Sequence, residues 1–180
     1  PDRRRCLERA LDAGGDNAVR LALGESLQRL GEREAALTAI APIDGDLAVH
    51  LLRAEIFVQL DRQDEALAAL DAALALSPED ALAHMRMGIL RRRRREFELA
   101  DVSLRRAVEL RPAEAAVHEQ LAILLSEQGR LDDALVSLQR AAEIAPAARS
   151  VRFNMAVALA RQKRWAEAER GLREAVAANP

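Results

Sequence analysis

From residue 47 onward, apolar and small side chains recur at spacings of three and four, broken by short polar segments. The whole pattern returns every 34 residues. One small position holds Ala54, Gly88, Ala122 and Ala156; a second holds Ala66, Ala100, Ala134 and Ala168; a third holds Ala73, Ala107, Ala141 and Ala175. Leucine stands between the last two, at Leu70, Leu104, Leu138 and Leu172, and proline closes the units at Pro78, Pro112, Pro146 and Pro180. Spacings of three and four put the apolar residues on one helical face. Small residues at fixed points let two helices approach closely, with leucines filling the space between. The pattern predicts two helices, A and B, in each of the units 47–80, 81–114, 115–148 and 149–180.

A shorter unit precedes these. Leu23-Gly24, Leu27, Ala36 and Ile40 match the pattern, yet only 30 residues separate Asn17 from Leu47. Pro42 cannot continue a helix, so a shortened helix B is expected within 17–46. Residues 1–16 read as a partial repeat, the second helix only, with Leu7, Ala10 and Leu11 on its apolar face.

On these residues the chain resembles the tetratricopeptide repeat (TPR) family of bacterial type. That signature has a Leu-Gly pair in helix A, matched by Met87-Gly88, Leu121-Ala122 and Met155-Ala156, and a closing proline. A bulky residue before the conserved alanine of helix B is matched by Phe97, Leu131 and Trp165. The large aromatics usual in helix A are missing, their places taken by His, Arg, Phe or Leu. The resemblance implies an all-α fold, a right-handed superhelical solenoid of antiparallel helix pairs. It also implies one continuous domain whose A helices line a concave groove that holds a peptide.

Composition agrees with a helical array. Half of the 180 residues are apolar but only 2% are aromatic, so the core is expected to be Leu, Ala, Val and Met. No apolar run reaches the roughly 18–20 residues that would cross a bilayer, so membrane insertion is not expected. A lone cysteine, Cys6, rules out an internal disulfide. Cytoplasm is the expected compartment, with periplasm as the alternative. Because the chain opens inside a partial repeat, it is read as a fragment of a longer one.

Charge changes the picture locally. The net charge is −2, but residues 1–80 carry 16 acidic and 9 basic side chains, and residues 81–180 carry 13 and 18. Much of the second excess is the unbroken run Arg91, Arg92, Arg93, Arg94 and Arg95. Such a run is either a solvated turn whose cations favour a helix C-terminus or an anion patch. Nucleic acid is not the expected ligand, because the pI is near 6.0 and stacking aromatics are scarce.

His50, His84 and His118 also stand 34 apart. Equivalent positions on neighbouring repeats should lie about 8–10 Å apart, too far for nitrogens sharing one zinc at about 2.1 Å. They are read as packing residues that replace the family's bulky helix A side chain. No phosphate loop or nucleophile elbow occurs, and no metal, cofactor or catalytic residue is assigned.

The working surface is therefore expected to be the groove. One stripe of each A helix should face it: Leu51, Leu52 and Glu55; Met85, Arg86 and Ile89; Glu119, Gln120 and Ile123; Phe153, Asn154 and Val157. Met85, Ile89, Ile123, Phe153 and Val157 would form the apolar strip, with Gln120 and Asn154 meeting a peptide backbone. Asn154 resembles the asparagines with which many family members hold peptides. The family's carboxylate clamp is not assembled, since its places hold Leu51, Glu55, Met85, Ile89, Ala116 and Ser150.

Three functional classes follow from this reading. The first is a non-catalytic scaffold that binds a protein or peptide segment. The second is a docking or dimerisation arm of a larger enzyme, such as a transferase or hydroxylase. The third is a solenoid that self-associates through uncapped ends.

Overall fold

The computed structural model describes the backbone of residues 2–177, and the side chains of all of these except 2, 3, 174, 175 and 177. The side chain of Ala175 and all of Pro180 thus lie outside the described residues. Among those described, eleven helices account for the regular structure. They are α1 (Asp2–Asp12), α2 (Asn17–Arg29), α3 (Arg33–Ile40), α4 (Leu47–Gln59), α5 (Gln63–Leu76), α6 (Ala81–Arg93), α7 (Phe97–Leu110), α8 (Ala115–Glu127), α9 (Leu131–Ile144), α10 (Arg149–Arg161) and α11 (Trp165–Ala177). The chain is an all-α TPR-type solenoid in which α2/α3, α4/α5, α6/α7, α8/α9 and α10/α11 pack as pairs. Two compact units can be told apart, Pro1–Glu79 and Asp80–Pro180.

The turn inside each pair is built the same way five times. Gly31, Asp61, Arg95, Gly129 and Lys163 have φ between 57° and 81°. Around each, a backbone N–H reaches back to close the helix: Glu32 to the Leu27 carbonyl, Arg62 to Phe57, Glu96 to Arg91, Arg130 to Leu125 and Arg164 to Leu159, at 2.9–3.0 Å. This left-handed closure satisfies carbonyls that the helix end would leave bare. Helix A starts are capped by Asp16, Asp46 and Asp80, whose carboxylates accept from backbone N–H groups of the first turn. Ala148, at the same place before α10, offers no side-chain cap.

Unit Pro1–Glu79 has a core of Leu23, Leu27, Ile40, Ile43, Val49, Leu52 and Ile56. Its α3 runs only 8 residues, against 14 for α5, because Pro42 follows directly. The foreshortened end is finished from the next helix. Arg53 Nη2 donates to the carbonyls of Ile40, Ala41 and Ile43 at 3.1, 3.0 and 2.8 Å. At the equivalent register the other repeats carry Leu23, Met87, Leu121 and Met155. Ile43, in the loop, is buried and restores an apolar side chain that the missing turns do not supply.

Unit Asp80–Pro180 has a core of Leu104, Leu121, Leu124, Leu125, Leu138 and Val151 with the small residues Ala100, Ala122, Ala134, Ala141 and Ala158. Gly88 is needed at its place: a Cβ there would stand 2.5 Å from Leu104 Cγ and 3.2 Å from the Ala100 carbonyl oxygen. The leucine series departs from expectation at its last member. Leu70, Leu104 and Leu138 are buried, whereas Leu172 is 40% exposed, since among the described residues no later helix packs over α11.

His118 is explained by the joint between units of the repeat. His118 is buried and its Nε2 donates to the Pro112 carbonyl at 2.9 Å. Arg152, one repeat later, gives Nη2 to the Pro146 carbonyl at 2.5 Å. A polar residue replaces the family's aromatic here because the proline turn presents an unpaired acceptor. His50 sits beside Arg53, and burial followed by that positive neighbour pushes its imidazole below the ordinary value of 6.5.

Candidate functional site

In unit Pro1–Glu79 the expected stripe is mostly structural. Leu52 belongs to the core, and Leu51 and Glu55 are half-buried, with Glu55 accepting from Gln28 Nε2 at 2.8 Å. A concavity of this unit lies elsewhere, in a cleft of about 640 Å³ between α3, α4 and α5. The short α3 leaves this space, and Leu37, Ala41, Phe57, Ala68 and Ala72 line it. Arg62 stacks over the Phe57 ring at 4.7 Å on its rim.

The remaining stripe residues lie on α6, α8 and α10 of unit Asp80–Pro180. Met85 is drawn into the core and packs against its cluster. Arg86, Ile89, Gln120 and Ile123 are half-buried. Phe153 is 52% and Val157 40% exposed, the exposed large apolar side chains on these A helices. Glu119 and Asn154 are joined rather than free. Asn154 Nδ2 donates to Glu119 Oε1 at 2.7 Å, and Ser150 Oγ donates to Glu119 Oε2 at 3.1 Å. The carboxylate of α8 thereby fixes the amide of α10, leaving the Asn154 carbonyl oxygen as its acceptor.

Between α8 and α10 these residues frame a cavity of about 190 Å³, lined by Ile123, Asn154 and Val157 with Ser126, Glu127 and Arg161. Glu127 and Arg161 also line a second, larger cavity of about 460 Å³, into which α6 contributes Arg92, Arg93 and Arg95. The arginine run is divided by the helical period. Arg91 turns to α7, its Nη1 3.5 Å from Ser103 Oγ, so its head meets a buried hydroxyl. Arg94 is held by Glu96 at 2.7 Å. Arg92 pairs with Glu127 across the cavity, and its own Nε is buried without a hydrogen-bond partner. Arg161 Nη1 donates to the Ser126 carbonyl at 2.6 Å.

Sequence reasoning missed Glu127 and Arg161. They lie one turn beyond Ile123 and Val157 on the same faces, and with Arg93 they form a series 34 apart. Extending the stripe by four residues would have found them.

Family models described as tetratricopeptide repeat match residues 17–42, 47–90, 85–149 and 125–180. No curated protein sequence matches the chain. Among solved structures, MamA 41-end from Desulfovibrio magneticus RS-1 is similar at 20% identity, with a TM-score of 0.80 over 91% of this chain and 96% of that one. A further MamA structure gives 17% identity and a TM-score of 0.76 over 90% and 91%. YrrB, described as a TPR protein with an unusual peptide-binding site, gives 21% identity and a TM-score of 0.71 over 96% and 91%.

Proposed function

Because the chain belongs to the tetratricopeptide repeat family, we propose that it is a non-catalytic interaction scaffold that holds a peptide segment against α6, α8 and α10. The observation that carries this reading is the cavity between α8 and α10. There the apolar side chains of Ile123 and Val157 meet a fixed amide, that of Asn154. An apolar wall with one oriented polar group is the usual composition of a ligand site. Exposed apolar residues also occur on α7 and α9, as Leu99, Val102 and Val136, but none of them lines the cavities described above. Exposure alone therefore does not distinguish the site; concavity with a held polar group does.

The test is a display of random peptides selected on the intact protein and on the double variant Ile123→Glu, Val157→Glu. Helicity and unfolding midpoint are checked by circular dichroism. Peptides with an apolar anchor should be retained by the intact protein and lost from the variant. Equal retention by a folded variant would remove the groove from consideration.

A second reading is favoured by α11, whose Trp165, Leu172 and Val176 are exposed. Such a face suits docking to another domain or a second copy. Sedimentation over a hundredfold concentration range tests the latter, and a constant monomer mass would exclude it.

A further inference from the structure

Four guanidinium groups share the larger cavity with a single carboxylate. Glu127 is that carboxylate, and Arg92 takes it. Neither Arg93 nor Arg95 forms an ion pair among the described residues, and Arg161 is held only by the Ser126 carbonyl. Cations gather at helix C-termini for local reasons, and Arg92 and Arg93 do close α6. Arg161 likewise closes α10, but that reason does not extend to Arg95. Arg95 lies past the helix in a left-handed conformation, φ 61°, at a place where two sister turns have Gly31 and Gly129. A side chain there is strained relative to glycine. Arg161 comes from a different helix and adds its charge across the space. Arg93, Arg95 and Arg161 are exposed, so an incoming anion can reach all three, and their summed positive potential favours one.

We infer that this cavity receives the carboxylate of an Asp or Glu side chain of the bound peptide, beside the apolar residue seated between Ile123 and Val157. The inference rests on the peptide reading above and adds a register to it. The two cavities adjoin, sharing Glu127 and Arg161. Val157 and Arg161 are one helical turn apart, about 5–6 Å. An extended peptide advances about 3.3 Å per residue, so the acidic residue should stand about two positions from the apolar anchor. Arginine forks suit a carboxylate in this role, since each can offer two parallel N–H donors.

The probe is a phage-displayed library of random dodecamers joined to the coat through their C-termini, so that no free C-terminal carboxylate competes. On the intact protein the selected peptides should combine an apolar residue with Asp or Glu about two positions away, and that acidic preference should fade in high salt. On Arg161→Gln and on Arg95→Gly the apolar anchor should persist while the acidic preference disappears. A synthetic peptide of the winning sequence should lose about tenfold in affinity when its Asp is changed to Asn. Arg95→Gly relieves a left-handed arginine, so its effect cannot be attributed to unfolding. Apolar selection with no acidic preference would overturn this inference alone. No apolar selection would overturn the groove reading, and this one with it.

Discussion

The short repeat and the regular repeats end their B helices in different ways, and the difference shows what the 34-residue period protects. In the regular case α7 runs 14 residues, its proline turn leaves one carbonyl facing inward, and His118 meets it. In the short case α3 stops after 8 residues, and Arg53 meets three carbonyls at its end, sharing that of Ile40 with the Ile43 N–H. The donor shifts by three residues along helix A and changes from an imidazole to a guanidinium. What is preserved is the satisfaction of backbone acceptors at the joint, together with one buried aliphatic side chain. Length itself is negotiable. A repeat can lose a turn and a half where a long donor from the next helix reaches the exposed carbonyls.

Breaking the short joint should have the largest effect. Arg53→Met installs the residue found at this register in two other repeats, and it should destabilise unit Pro1–Glu79 by about 1.5–3 kcal/mol, as expected when part-buried carbonyls lose a charged donor. Urea unfolding measures this, and a change under about 0.5 kcal/mol would show the carbonyls to be solvated instead. The regular joint should be less sensitive. His118→Leu keeps the bulk but leaves the Pro112 carbonyl without its partner, for a loss of about 1–2 kcal/mol; an unchanged midpoint would assign His118 to packing alone. The smallest change sharpens the other end of the joint. Ala148 has φ −68° and ψ 107°, close to the −76° and 105° of the capping Asp80. Ala148→Asp should therefore add a cap to α10 and raise stability by about 0.5–1 kcal/mol. A lowered melting temperature would mean that its contact with the core outweighs the cap.

The repeat architecture was legible because each core position is written several times over, so that Ala100, Ala134 and Leu138 confirm one another. Features confined to a single repeat were not. Arg53 stands where the pattern asks for an apolar residue, and its purpose exists only because α3 is short. In the candidate site, the sequence placed Ile123, Asn154 and Val157 on facing stripes but could not show that Glu119 holds the Asn154 amide. That bond joins residues 35 apart through rotamers that no periodicity encodes. Arg161 and Glu127 were overlooked because the stripe was ended one turn early. Leu172 follows the repeat in sequence yet is exposed, because burial depends on a covering neighbour and not on register.

Arg53 also bears on how such an array can grow. Repeats multiply by copying a stretch of gene, and a copied stretch must fit wherever it lands. Residues 81–114 or 115–148 can be inserted behind any full-length helix B, since their helix A carries Met87 or Leu121 at the contact. Residues 47–80 cannot, because their arginine would face a complete helix with no bare carbonyl to receive it. The heritable module at this end is the pair of repeats together, from Asn17 to Glu79, and a recombination point placed between them would separate a truncated helix from the only side chain that finishes it.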